Sequence, residues 1–552
     1  MTTQPASPRR RLVCTSALVL ASACAGSAPV STVASPSREG PRTRAERSQY
    51  LETSRYADVL AFLDSLKSQD GTLAFGSIGT TSEGRVIPYV VASRPLVRTP
   101  RAARASGKPV VYVQANIHAG EVEGKEALLA LVRDLAFAGG PSVLDSIVLI
   151  AVPIYNADGN EQVGPQERQR TEQNGPALVG QRANAMGLDL NRDYIKLEAP
   201  ETRASLAMFE AWDPDVFVDL HTTDGSFHGY ALTYAPSLNP ASPLGDFTRG
   251  LLGELRTRVR VRHGYETFDY GNFEDPGGEV SVDTVHGGWS TYDARPRFGT
   301  NYYGLRNRVG VLSEAFSHDP FERRVRSTYA FTRELLSLVA ERSRTMRLRE
   351  QQAEGQLIGR GAVTTSVQSV LPSSAPPQPV RYEILARTGD SSRTQAGVPR
   401  GVRRTGEVRT RPMPVFDRFV PRGTIPLAAA YLVPATDTLL VRRLRAHGIA
   451  IIRTQGEYDT TRGFEAFTVD SVIRAPRPFQ GHNEVRVKGR WAPAPAPASP
   501  GGWFFVDMHQ PLALLAAYLL DPESEDGFTT WNAFDTALAV GRPHPVMRRP
   551  GH

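Results

Sequence analysis

The chain has 552 residues, 40% of them hydrophobic and 22% charged, with a formal net charge of +7. That length holds a large catalytic domain and at least one more, and the composition is ordinary for a soluble globular protein. The positive charge comes largely from scattered arginine, with no compact Lys/Arg run interleaved with aromatics, so no nucleic-acid partner is expected.

In chain order, "RRR" at Arg9 to Arg11 precedes the apolar run "LVCTSALVLASAC" and then small and polar residues. That is the layout of a secretory signal over residues 1–24, too short to remain as a membrane span. Its end, "LASAC", resembles a bacterial lipobox with Ala21 in the usual place of leucine. On that reading Cys24 is lipidated after cleavage and anchors the protein to a membrane; ordinary cleavage after a small residue is the alternative. Both readings expect an exported protein, periplasmic or on the cell surface. The only two cysteines, Cys14 and Cys24, lie in this leader, so the mature chain forms no intramolecular disulfide. A metal site must then be built from histidine and carboxylate.

Residues 25–47 read as a polar tether rich in Pro and Arg. "SRYADVLAFLDSLKS" has helical spacing, and "LAFGSIGTTSEGRVIPYVVAS" reads as two strands about a "TSEG" turn. From Lys108 strands and helices alternate. The strand "PVVYVQAN" is followed by the helix "EVEGKEALLALVRDLAFA", the strand "SIVLIAVPIYN" and the helix "PETRASLAMFEAW". The strands "DVFVDLHT" and "GVLSEAF" follow, and a long helix closes the domain near Glu350. Near-continuous apolar strands between helices predict an α/β fold, a mainly parallel mixed sheet flanked by helices, over residues 48–352. Residues 353–380, with "VLPSSAPPQPV", read as a linker. Residues 381–552 read as a C-terminal domain of mixed or largely β type, interrupted by "WAPAPAPASPGG".

The stretch with chemistry is "NIHAGEVEGKEA", Asn116 to Ala127. His118 and Glu121 have the spacing of one helical turn and follow an apolar strand. His221 ends "VFVDL", and Glu314 lies in "GVLSEAF". In open α/β sheets ligands bind outside the carboxyl ends of strands, where these residues can meet. Two histidines and a carboxylate with an open fourth position make a catalytic zinc site. Glu314 is either a core ion pair with Arg306 or Arg308, or a general base for metal-assisted hydrolysis. His228, His263, His286, His318, His447, His482 and His509 lack ligand spacing and read as structural.

Taken together, "NIHAGEVEGKEA", "LDLNRDY", "VDLHTTDG" and "VLSEAF" resemble the zinc metallocarboxypeptidases of the carboxypeptidase A type, in content and in order. The resemblance runs from roughly residue 50 to 350. "SIGTTSEGRVIP" resembles that family's opening segment, and "YNADGNE" its Asn-Pro-Asp-Gly element, with Ala157 replacing proline.

The resemblance implies that His118, Glu121 and His221 bind one zinc ion and that Glu314 is the general base. It implies that Asn191 and Arg192 hold the terminal carboxylate of a peptide or peptide-like substrate. It also implies an arginine that stabilises the oxyanion, for which Arg168 and Arg170 are candidates and Arg170 has the better spacing. Tyr292, Tyr302 and Tyr303 compete for the tyrosine that covers the family's site. The expected activity is removal of C-terminal residues. Alternatives are a zinc amidohydrolase acting on peptidoglycan stem peptides or N-acyl amino acids, and a non-catalytic exported binding lipoprotein.

Overall fold

The computed structural model describes residues 40–69, 71–274, 287–359, 363–389, 398, 400–454, 463–495 and 502–551. The leader with its Cys24, residues 25–39 of the tether, and His286 lie outside them. Among the described residues no helix is long and apolar enough to cross a membrane.

Eight strands form the central sheet: β1 (Leu73–Thr80), β2 (Val86–Ala92), β3 (Val110–Ala115), β4 (Val148–Val152), β5 (Val216–Thr222), β6 (Leu232–Pro236), β7 (Thr267–Asp269) and β8 (Val309–Ala315). They lie in the order β1-β2-β4-β3-β5-β8-β6-β7. The central β4, β3, β5 and β8 run parallel, while β1 and β2 on one side and β6 on the other join through antiparallel pairing. Every residue of β3, β5 and β8 is buried. That accounts for their near-continuous apolar character, since parallel strands are covered on both faces.

The covering helices include α1 (Tyr56–Ser65), α2 (Glu123–Phe137), α3 (Pro200–Trp212), α4 (Gly245–His263), α5 (Gly299–Leu305) and α6 (Phe321–Ile358). The last runs eight residues past its expected end at Glu350. On one face Val113, Val218 and Leu220 pack with Leu128 and Val132 of α2, Leu252 of α4 and Leu335 of α6. On the other, Tyr112 and Phe217 meet Phe209 of α3 and Tyr303 of α5. Alternation along each strand sends consecutive side chains to opposite layers.

The second layer also takes in side chains from beyond residue 380. A hairpin of β9 (Pro377–Arg387) and β10 (Val402–Phe416) comes first. The stretch read as linker to residue 380 therefore already contains the start of a strand. Its prolines are tolerated because β9 lies at a sheet edge, where an N–H donor is not needed. A six-stranded antiparallel sheet follows, built from β11 (Ala430–Pro434), β12 (Ile452–Arg453), β13 (Glu465–Arg474), β14 (Val485–Pro493), β15 (Trp503–Asp507) and β16 (Pro543–Arg549). With it come α7 (Thr438–Ala446) and the wholly buried α8 (Ala513–Leu520). Leu440, Leu444 and Leu515 share the core of Phe209 and Tyr303. Polar bonds cross the same boundary: Tyr302 to His447 Nδ1 at 2.7 Å, and Asn239 to the Tyr518 hydroxyl at 3.0 Å.

Candidate metal centre and active-site cleft

Strand β3 ends at Ala115, and Asn116 takes a left-handed φ of 66°, a conformation Asn tolerates better than most residues. The chain reverses there into a turn closed by the Glu121 N–H donating to the His118 carbonyl at 3.0 Å. His118 and Glu121 thus share a turn just before α2 rather than a helix face. Gly124, in the first turn of α2, lets the helix press onto β5: a Cβ there would lie 2.8 Å from the Leu220 Cβ. On the sheet itself, His221 of β5 and Glu314 of β8 are register partners on adjacent parallel strands. Strand β8 ends at Ala315, so Glu314 is delivered to the same sheet end as the two histidines.

The first three residues converge. His118 Nδ1 lies 3.0 Å from Glu121 Oε1, and His221 Nδ1 lies 2.9 Å from Glu121 Oε2. One ligand atom from each falls within 4.8 Å of the others, and all three side chains are buried. Both histidines are backed by carboxylates on the far side of the ring. Asp189 Oδ1 is 3.0 Å from His118 Nε2, and Asp219 Oδ2 is 3.0 Å from His221 Nε2. At His118 the Nε2–Asp189 hydrogen bond leaves Nδ1 as the free donor, the arrangement by which proteins orient metal-binding imidazoles; at His221 the Asp219 carboxylate stands close without a hydrogen bond. The donor set fits a divalent metal: two imidazole nitrogens and one carboxylate. Glu121 is held well below the usual carboxylate range, because His118 and Arg170 outweigh the upward push of its burial.

Glu314 is the opposite case. Burial first, and then the negative charges of Glu121 and Asp224, push it well above the usual range against the pull of His221. Its Oε2 is buried without a partner. Arg306 and Arg308, the arginines weighed as its ion-pair partners, are spent elsewhere: Arg306 on Glu210, Arg308 on Asp213 and Glu354. A carboxyl group with a raised pKa and a free oxygen beside a metal-ligand cluster is suited to accepting and returning a proton.

Arg170, the expected arginine, touches the metal-ligand cluster but is not among the residues lining the cleft. Arg170 is buried, donating to Glu121 Oε1 at 3.0 Å and to the carbonyls of Thr222 and Thr223 at 3.1 and 3.0 Å. Its two terminal nitrogens are held by these partners, and Arg168 is exposed. Arg182, not considered from the sequence, stands on the cleft wall with 38% of its side chain exposed. Its Nε donates to Asp189 Oδ2 at 3.0 Å, and one terminal nitrogen is 3.4 Å from Glu121 Oε1. The signal was its place seven residues before Asp189 in "QRANAMGLDLNRD". Asp219 was also missed, although an acid two residues before His221 in a buried strand is itself a signal.

The cleft is closed by Asn191, Arg192, Tyr270, Tyr292, Phe298, Thr300 and Leu312. Asn191 is fixed by its Oδ1, which accepts the Gly299 N–H at 2.9 Å, and the Arg192 guanidinium lies 4.0 Å over the Phe298 ring. Of the three tyrosines weighed, Tyr292 lines the cleft with a buried, unpartnered hydroxyl. Tyr302 and Tyr303 are core residues of α5. Among the remaining described histidines, His263 pairs with Glu334, His482 pairs with Glu198, and the His318 ring stacks 3.8 Å from that of Phe227.

The zinc carboxypeptidase family profile matches residues 59–243, which span both histidines of the cluster, Asn191 and Arg192. Carboxypeptidase 2 of Trichophyton rubrum is 25% identical over 505 residues, covering 88% of this chain and 85% of its own. A probable carboxypeptidase 2 of Trichophyton verrucosum is 30% identical over 145 residues, 26% of this chain and 24% of its own. A metallo-carboxypeptidase of Burkholderia cenocepacia overlaps 53% of this chain and 70% of its own at 18% identity, with a TM-score of 0.39. Over residues 59–243 the chain is thus similar to zinc carboxypeptidases, and over most of its length to carboxypeptidase 2 of Trichophyton rubrum.

Proposed function

We propose that the protein is an exported zinc carboxypeptidase that hydrolyses the C-terminal bond of peptides. The observation that carries this reading is the shared cleft. Glu121 and two imidazoles converge at its floor, Glu314 stands in register beside His221, and Asn191 and Arg192 occupy the same wall system. His118, Glu121 and His221 hold one zinc ion, which when bound supplies Lewis acidity and lowers the pKa of water.

The chain's own residues do the rest. Arg192 and Asn191 take the substrate's terminal carboxylate, the guanidinium with its planar fork and the amide as a neutral donor. Binding there places the last peptide bond over the cluster and converts attack by water into an oriented event. Glu314 accepts the proton that water loses and passes it to the departing amine nitrogen. Arg182, rather than Arg170, faces the developing oxyanion, because a stabilising donor must stand where the charge forms. Export rests on the leader sequence.

The test is a comparison of wild type with Glu314→Gln, reading zinc content and release of C-terminal residues from a peptide library. Zinc in both, with release only by wild type, is the expected outcome. Zinc in both with equal release removes Glu314 from the mechanism. A wild type that releases nothing overturns the reading.

A further inference from the structure

The tip of the β13–β14 hairpin reaches Asp189, which backs the metal-ligand cluster and caps the segment that lines the cleft. Phe479 and His482 exchange backbone hydrogen bonds of 2.8 and 3.0 Å around Gln480 and Gly481, whose φ values are 50° and 79°. Two consecutive positive φ angles in a two-residue turn are the mark of a type I′ hairpin, where Asn, Asp or Gly is usual. Glutamine is an unfavourable choice at that position, and strained residues concentrate where function keeps them. Its side chain has a specific task here. Gln480 Oε1 accepts the backbone N–H of Asp189 at 2.8 Å, across 291 positions of sequence.

Asp189 is the residue on which the loop side of the cleft turns. One carboxylate oxygen faces His118 Nε2 and caps the Asn191 N–H at 2.9 Å, and the other receives Arg182. The hairpin that grips it is itself anchored to the catalytic body. His482 Nε2 lies 2.9 Å from Glu198 Oε1. Arg297 donates to Glu484 at 2.6 Å and to Asp526 at 2.8 Å, and its guanidinium lies 4.5 Å over the Trp531 ring.

We propose that Gln480 is a positioning residue through which the C-terminal region completes the substrate site. By holding the Asp189 backbone, it keeps Asn191 and Arg192 at a fixed height above the metal cluster. The inference rests on the carboxypeptidase reading for its kinetic consequence, but its mechanical part stands alone.

The test uses the full chain with Gln480→Gly and Gln480→Met. Glycine relieves the positive φ, so its thermal midpoint should stay level or rise, whereas methionine keeps the strain and loses the acceptor. Both should raise KM for a C-terminally free peptide by about tenfold, the size of one lost hydrogen bond, with kcat changed far less. Amide hydrogen exchange over residues 189–192 should quicken in both. A role in folding alone would predict a stable, fully active Gly variant, so a wild-type KM and wild-type exchange in Gln480→Gly overturn the proposal. A wild type without carboxypeptidase activity would sink the reading of function. The exchange rates would still decide for or against Gln480.

Discussion

The strand-borne half of the cleft and its loop-borne half are built by different means. His221, Asp219 and Glu314 sit on two adjacent parallel strands, buried throughout and locked by register. His118, Asp189, Asn191 and Arg192 sit on turns whose shape is dictated from outside. Asn156 donates to the Ile117 carbonyl, Gln173 to that of Gly120, and Gln480 holds Asp189. Under the proposed mechanism, proton handling falls to the rigid scaffold and substrate recognition largely to supported loops. If that division is real, mutations in the two halves should fail in different kinetic terms.

The largest contrast is between Glu314→Gln and Arg192→Ala. Loss of the acid–base group should lower kcat by about a thousandfold with KM little changed. Loss of the guanidinium should raise KM by roughly fiftyfold, the worth of a charge-assisted hydrogen bond pair, and lower kcat less. Steady-state kinetics on one tripeptide decides it. Equal losses in both parameters for both variants would erase the distinction.

Next comes the choice between two arginines. Arg182→Ala should lower kcat by about a hundredfold and leave the thermal midpoint near wild type, as expected for a lost transition-state donor. Arg170→Ala should instead destabilise the fold by about 3 kcal/mol, because Glu121 and two carbonyls lose their buried cation. Denaturant midpoints and kcat together separate the two, and a stable but inactive Arg170→Ala would restore that residue to the cleft.

The two backing carboxylates give a finer comparison. Asp219→Asn and Asp189→Asn should each weaken metal affinity by about tenfold, measured by chelator competition. Only Asp189→Asn should also raise KM, since only Asp189 caps the segment carrying Asn191 and Arg192. A KM effect from both would mean the strand-borne half is not independent of the loops.

The same division explains what could be read from the chain. "VDLHT" and "VLSEAF" announce their chemistry because a histidine or glutamate in an unbroken apolar strand has few structural excuses, and parallel register then brings them together. The α/β architecture was legible for the same reason. Spacing favours Arg170 over Arg168 and does not bring in Arg182, because loop path is set by contacts such as Arg170 with the Thr222 and Thr223 carbonyls, which no local pattern encodes. Gln480 was invisible: its partner is a backbone N–H, and nothing in "PFQGHN" points to residue 189. Asp219 was visible in principle, as a buried acid on the same strand face as His221.

The smallest effect probes the contact beneath the loop-borne half. His447 is buried, and burial, with Arg306 next in weight, pushes its pKa down to about 3. Its neutral ring accepts from Tyr302 at Nδ1 and meets the Ile195 carbonyl at Nε2, 3.2 Å away and three residues past Arg192. The sign follows from linkage. A histidine whose folded pKa lies below its unfolded value of about 6.5 contributes stability that is complete above that pH and is lost as pH falls. The loss from His447 should be about 1 kcal/mol by pH 6 and about 2 kcal/mol by pH 5. His228 and His544, also pushed down to about 3 by burial, add to the slope. In His447→Gln, which cannot titrate, the fall in unfolding free energy between pH 7 and pH 5 should therefore be shallower than in wild type but not flat. An unchanged slope would mean that His447 is not held neutral. A shallower slope accompanied by a KM less sensitive to acid would tie this contact to the segment that carries Arg192, and so place the acid-labile joint of the molecule under its loop-borne half.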